Sequence, residues 1–305
     1  MDLVSTGSDG AETEFETVLP VYVVGDSHSL PYRNMVFREK WTGAWVMART
    51  KYIPGLTAYD FFNITTGEFH PDFIAFLEYE GLVRAGRATH LSADEVDFAI
   101  AKAAGRPVRP PLIMITIGEI DVRGPILQLL KDTHDFVPPF STTMPLLDKP
   151  LVPWDVIDET IEMRLHPFIA GLQRLVEAGF QRVYVQGVVP PTQQEARVRQ
   201  LQSYDCPVTV RTKLVEAFNW KLGPKVRSLN LVMLDRWSDL TEDGLLRSEY
   251  DFDGVHLPPN GARLLLEALI DDAIDSRGLL ANHPRYELYY RMACGLDPFA
   301  QPDQK

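Results

Sequence analysis

Four short apolar runs, each stopped by a glycine or an acidic residue, constrain this chain more than any other feature. They are Leu19-Pro-Val-Tyr-Val-Val24 before Gly25-Asp26-Ser27, Leu112-Ile-Met-Ile-Thr-Ile117 before Gly118, Arg182-Val-Tyr-Val-Gln186 before Gly187, and Asn230-Leu-Val-Met-Leu234 before Asp235. Runs that are apolar on consecutive residues, rather than on alternate ones, suit strands buried on both faces of a parallel sheet. Ala44-Trp-Val-Met-Ala48 is a weaker fifth candidate. Helical stripes lie between the runs. Ile161, Leu165, Phe168, Ile169, Leu172, Leu175 and Val176 recur at steps of three and four up to Gly179, and Leu265, Leu266, Leu269, Ile270, Ala273 and Ile274 do so after Pro258-Pro259-Asn260. Strands alternating with helices predict a three-layer α/β/α domain around a parallel sheet of about five strands, with right-handed crossovers. In such a sheet ligands bind at the carboxyl ends of the strands, where every one of these runs terminates.

Charge narrows the partners. The 305 residues carry 30 Lys+Arg against 42 Asp+Glu, a formal charge of −12, which argues against a nucleic-acid or anionic-membrane surface, because phosphate contact needs a basic field. Two cysteines, Cys206 and Cys294, give neither a disulfide framework nor metal-ligand spacing. The N-terminal stretch lacks a basic region followed by an apolar one, and no apolar run approaches the roughly 18 residues of a membrane helix, so the expected location is cytoplasmic. The expected organisation is a polar tail over residues 1–18, one domain over 19–281, and an extension over 282–305 packed on the body. Two long connections, the proline-rich 132–154 and the Gln- and Arg-rich 190–207, read either as functional lids or as surface excursions. Oligomerisation is left open.

The chemistry concentrates at two places. Ser27 follows a buried strand through Gly25, a turn that presents a hydroxyl at the sheet's carboxyl edge, although Gly-Asp-Ser alone is ordinary turn composition. Far along the chain, Asp253 and His256 stand three apart on the approach to the last helix, close enough for a carboxylate to orient an imidazole on Nδ1. A helix-capping aspartate with an incidental histidine is the plainer alternative.

Taken together, Gly25-Asp26-Ser27 after the first strand and Asp253-Gly-Val-His256-Leu-Pro-Pro-Asn-Gly-Ala before the last helix resemble the first and last blocks of the SGNH (GDSL-type) hydrolase superfamily. The resemblance implies a flavodoxin-like sheet and a triad with Ser27 as nucleophile, His256 as base and Asp253 as its orienter. It also implies that Gly55, in Tyr52-Ile-Pro-Gly-Leu-Thr-Ala, corresponds to the second-block glycine, whose N–H faces the oxyanion together with that of Ser27. Asp26 is expected to organise the turn beside His28. No cofactor or metal is implied.

The third block departs from the family. In place of Gly-x-Asn-Asp the chain reads Gly118-Glu119-Ile120-Asp121-Val122-Arg123, so Ile120 stands where the family has an oxyanion-donating Asn and cannot donate. Losing such a donor costs roughly 10²–10³ in rate in a well-studied protease. Arg123 either replaces it near the substrate, with Glu119 and Asp121 as further lining groups, or pairs with Glu119 or Asp121 as a structural ion pair. Two other readings compete. A binuclear metallophosphoesterase is suggested by Asp26-x-His28, but the later histidine-bearing ligand blocks are missing. The same triad also serves an O-acyltransferase, and a non-catalytic module binding an ester or glycan is the remaining alternative. The expected function is hydrolysis of an ester, O-acetyl or another acyl group on a sugar or small metabolite, through an acyl-Ser27 intermediate.

Overall fold

A computed structural model describes residues 18–41, 43–84, 91, 111–130, 133–201 and 206–275. The N-terminal tail before residue 18, Cys294, the 282–305 extension and residues 202–205 of the second long connection lie outside the described residues.

Each of the five apolar runs forms a strand. We label the main-sheet strands β1 (Val18–Gly25), β2 (Val36–Arg38), β3 (Trp45–Tyr52), β4 (Leu112–Thr116), β5 (Val183–Gln186) and β6 (Val232–Leu234). Their spatial order is β2-β3-β1-β4-β5-β6. β3, β1, β4, β5 and β6 are mutually parallel, in the flavodoxin-like order of a doubly wound sheet. The weak candidate at Ala44–Ala48 is thus a full strand, the parallel neighbour of β1. β2 was not anticipated. It runs antiparallel along the edge of β3, and its exposed–buried–exposed alternation over Val36, Phe37 and Arg38 is the mark of an edge strand rather than of a doubly buried one.

Side chains leave the strands on alternate sides, and both sides are covered. Ile113, Ile115, Val183 and Val185 share one cluster with α2 (Trp154–Glu177) and α3 (Val208–Ser228), through Leu165, Phe168, Leu172, Leu214 and Phe218. α1 (Pro71–Tyr79) lies in the same layer through Phe73 and Leu77. Val21, Val23, Leu112, Met114 and Tyr184 face the opposite layer, where α4 (Pro259–Asp275) contributes Leu265, Leu266, Leu269 and Ile270. At about 1.5–3 kcal/mol for each large apolar side chain taken out of water, these two layers dominate the stability.

The chain winds outward in one direction from β1 to β3 and in the other from β4 to β6, so the strand order reverses between β1 and β4. A crevice opens at that reversal. β1 and β4 approach closely at their carboxyl ends: a Cβ on Gly25 would sit 2.0 Å from the Thr116 carbonyl oxygen, so no larger residue fits there. The Asp26 N–H donates to the same oxygen at 3.1 Å, turning the chain into a 3-10 turn over Ser27–Tyr32.

The proline-rich connection is anchored from below. Asp135, fully buried, accepts at Oδ1 from the Phe136 N–H and from Lys213 Nζ of α3 (2.5 Å), and at Oδ2 from the Leu147 N–H. Phe136, Phe140, Trp154 and Trp220 pack into one aromatic cluster over this pair. At Gly244 the loop meets a short hairpin of Thr241–Glu242 with Leu245–Leu246, so closely that a Cβ there would fall 2.3 Å from Thr143 Oγ1. The hairpin leads directly into the segment that carries Asp253 and His256.

Candidate active site

Ser27 opens the turn after β1 and is half-buried, with its hydroxyl at the sheet's carboxyl edge. Asp26 caps that turn: its Oδ1 accepts from the His28 N–H at 2.9 Å, and its backbone carbonyl accepts from the Ser29 hydroxyl at 2.8 Å. Asp26 therefore organises the turn, as expected. Burial pushes its carboxyl up to about 6, against the pull of the neighbouring His28.

The second half of the site comes from the loop before α4. Asp253 Oδ1 accepts the N–H groups of Val255 (3.0 Å) and His256 (2.7 Å), and Oδ2 meets His256 Nδ1 at 2.6 Å. Gly254, at φ +90°, supplies the left-handed residue that lets the loop fold back on the aspartate. Burial alone would raise the Asp253 carboxyl, but the bonds from His256 and the two N–H groups hold it below the usual carboxylate range. The pair is thus fixed with a carboxylate on Nδ1, and Nε2 is the ring nitrogen it leaves unbonded. His256 Nε2 is sealed from solvent and has no hydrogen-bond partner. It does not bond Ser27. Instead the ring of His28, next to Ser27 in the chain, lies against the His256 ring, centroids 5.2 Å apart.

Two residues outside the sequence-level candidates brace the histidine loop. Thr192 Oγ1 donates to Asp251 Oδ2 at 2.6 Å, and Arg197 Nε donates to the Asp253 carbonyl oxygen at 3.1 Å. Both come from the 190–207 connection, which carries a short helix over Glu195–Leu201. No local motif marks them.

The remaining candidates divide. Gly55 sits at φ +71° on the exposed turn after β3, a turn tied back to β1 by the Ile53 N–H donating to the Gly25 carbonyl at 2.8 Å. Asp121 is buried beneath the same turn and accepts from the Ala58 N–H at 2.6 Å, so it holds the Gly55 loop from below. Of the two readings for Arg123, the ion pair is present: Nε reaches Glu119 Oε1 at 2.6 Å. Glu119 turns its other oxygen to His28 Nε2 at 3.7 Å. Burial would raise the Glu119 carboxyl, yet His28 and Arg123 outweigh it and hold the group down at about 2. Burial likewise disfavours a charged His28, but Glu119 and Asp26 reverse this and raise its pKa. Gly118 at φ +118° makes the turn from β4 into this segment, and a Cβ there would press on Phe218 at 2.7 Å.

Asp121 gives a test of these electrostatics. Burial raises its carboxyl to about 7, so the folded chain binds that proton more tightly than the unfolded chain, and stability falls as pH rises from about 4 to 7. Asp121→Asn keeps an acceptor for Ala58 and cannot ionise. Its melting temperature is expected above wild type near pH 8, by an amount equivalent to on the order of 2–4 kcal/mol, with the gain gone near pH 4. A variant less stable than wild type at both pH values would contradict this reading.

Beside His256 lies a cleft of about 40 Å³, walled by Val122, Leu127, Val188, Pro190, Pro191 and Val255, with Arg123 and Arg211 at its margin. Among the described residues no group of three or more His, Cys, Asp or Glu is arranged to hold a metal ion, and no helix is long and apolar enough to cross a membrane.

No family model and no curated protein matches the chain. Solved structures do align with it. A GDSL-like lipase from Bacteroides thetaiotaomicron aligns over 84% of this chain and 88% of its own, at 16% identity and a TM-score of 0.41. The lipase/acylhydrolase from Enterococcus faecalis aligns over 85% and 96%, at 17% identity and a TM-score of 0.37. The fold itself, a three-layer α/β/α domain whose parallel strands run in flavodoxin-like order, stands on the sheet order and pairing of this chain.

Proposed function

We propose that the chain is a serine ester hydrolase of the SGNH type, working through an acyl-Ser27 intermediate. The observation that carries this reading is the Asp253–His256 pair, locked on Nδ1 at 2.6 Å with Nε2 unpartnered, at the same strand ends as Ser27. His256 takes the Ser27 proton as the hydroxyl attacks an ester carbonyl, and the Asp253 carboxylate stabilises the imidazolium that forms. The backbone N–H groups of Ser27 and Gly55 receive the oxyanion. The tetrahedral intermediate collapses as His256 returns the proton to the leaving alcohol. Water, activated by the same histidine, then releases the acid.

The chain has no side-chain amide at the third block, and Arg123 Nε is taken by Glu119, so this reading gives the oxyanion to the backbone donors. An apolar cleft adjoins the histidine loop at Gly254 and Val255. The ester expected is an O-acetyl or other acyl group on a sugar or small metabolite. An O-acyltransferase uses the same steps with an alcohol in place of the second water. Hydrolysis of p-nitrophenyl esters of increasing chain length, starting from acetate, tests the reading: turnover of at least one of them is expected. Adding an alcohol acceptor separates the two outcomes, since only a transferase diverts the acyl group from water to a new ester. Absence of turnover on every ester, in folded protein, would overturn the proposal.

A further inference from the structure

Beneath the turn that carries Ser27 lies a second, smaller cavity of about 10 Å³, at the ends of β1, β4 and β5. Asp26, Thr116, Glu119 and His28 line it, with Gln186 and Val188. The first three side chains and the histidine share an unusual property: Asp26 Oδ2, Thr116 Oγ1, Glu119 Oε2 and His28 Nε2 are all sealed from solvent and none has a hydrogen-bond partner. Asp26 and Thr116 are 0% and 1% exposed, and His28 is 5% exposed. Leaving one polar atom buried and unpaired costs roughly 1–3 kcal/mol; Asp26 Oδ2 and Thr116 Oγ1 have no partner at all, and His28 Nε2 and Glu119 Oε2 have only each other across 3.7 Å. Gln186 is already engaged, accepting from the Tyr32 hydroxyl at 2.7 Å.

The volume selects the partner. About 10 Å³ is close to the lower limit for one water molecule. The chemistry agrees, because the lining offers two carboxylate acceptors, a hydroxyl of either sense and a histidine nitrogen. The gap of 3.7 Å between His28 Nε2 and Glu119 Oε2 is too long for a direct hydrogen bond and can be closed by a shared water.

We propose that this cavity is a built site for a single internal water, and that through it Asp26, Thr116 and Glu119 fix His28, which acts as a positioning residue for His256. Arg123 completes the chain by holding the far oxygen of Glu119. His28 is the group lying on the His256 ring, so its orientation limits the direction in which Nε2 can swing towards Ser27. The water site itself follows from the cavity and its lining; the positioning role rests on the proposed triad.

Thr116→Val is the decisive variant, because it keeps the shape of the side chain and removes one hydroxyl from the cavity wall. In a high-resolution crystal structure of the wild-type protein we expect an ordered water in the cavity, bonded to at least three of the four named atoms, and we expect it lost in Thr116→Val. The variant should also react with a fluorophosphonate at Ser27 about 10- to 100-fold more slowly, as misplaced catalytic groups do, with its melting temperature little changed. Glu119→Gln, which keeps oxygen and shape, should lose less than Glu119→Ala. An empty cavity in the wild type would overturn the water site. Wild-type labelling kinetics in Thr116→Val would overturn the positioning role. A wild-type protein that is never labelled at Ser27 would sink the esterase reading and the positioning role with it, while the crystallographic arm would still decide the water.

Discussion

Replacing His256 with alanine is expected to lower ester turnover by roughly 10⁴- to 10⁶-fold while leaving the melting temperature within a few degrees of wild type. The two halves of that expectation have separate causes. Chemically, the proposed mechanism gives His256 the task of relieving Ser27 of its proton, and without a base the hydroxyl stays a poor nucleophile at neutral pH. Structurally, the ring makes a single hydrogen bond, to Asp253, on a part-exposed loop. The bonds that shape the loop are backbone ones, the Val255 and His256 N–H groups to Asp253 Oδ1, and these survive the substitution. Ser27→Ala should give the same loss, and the double variant no more than either alone, because the two residues act as a unit. Initial rates on p-nitrophenyl acetate and thermal melts of the three variants check this. A His256→Ala protein retaining more than about a tenth of wild-type activity would remove the histidine from the mechanism.

The second large effect concerns stability. Lys213 and Asp135 form an ion pair in which both side chains are out of contact with water, 1% and 0% exposed. Lys213 Nζ also reaches the carbonyl oxygens of Phe136 and Pro145, each at 3.4 Å. Lys213→Met leaves Asp135 as a buried charge with no cation and is expected to cost about 3–5 kcal/mol. Adding Asp135→Asn removes the stranded charge and still offers an acceptor to the Leu147 N–H, so Asp135→Asn/Lys213→Met should recover more than half of the loss. Urea denaturation of the wild type, the single variant and the double variant measures both quantities. If Lys213→Met unfolds within about 1 kcal/mol of wild type, the pair is not what anchors the proline-rich connection.

Much of the fold is legible in the sequence because parallel strands buried on both faces leave little choice of residue. Leu112 to Thr116 is apolar at nearly every position, and all five residues are buried. Helices that cover a sheet keep one apolar face, and the stripe ending near Gly179 matches α2, whose last residue is Glu177. α3 carries the same signal in Val210, Leu214, Phe218 and Leu222, at steps of four, but Pro207 just before it and Pro224 within it interrupt the pattern. β2 is less visible for a physical reason: three residues with one buried side chain hold too little apolar surface to stand out.

The site divides along the same line. The pairing of Asp253 with His256 is legible because it depends on local spacing, three residues between the carboxylate and its imidazole. The braces from Thr192 and Arg197 reach 59 and 56 residues along the chain and leave no local trace. His28 stands next to Ser27 in the sequence, but its burial beside Glu119 arises only from the packing of β1 against β4. Arg123 was readable either way, and the 2.6 Å contact with Glu119 gives the ion pair.

The most direct test of the central claim is covalent. The intact wild-type protein, incubated with a fluorophosphonate and digested for mass spectrometry, is expected to carry one adduct, on Ser27, and the adduct should vanish in His256→Ala. A folded protein that acquires no adduct, or acquires it on another residue, would contradict the assignment of Ser27 and His256 as an activated pair.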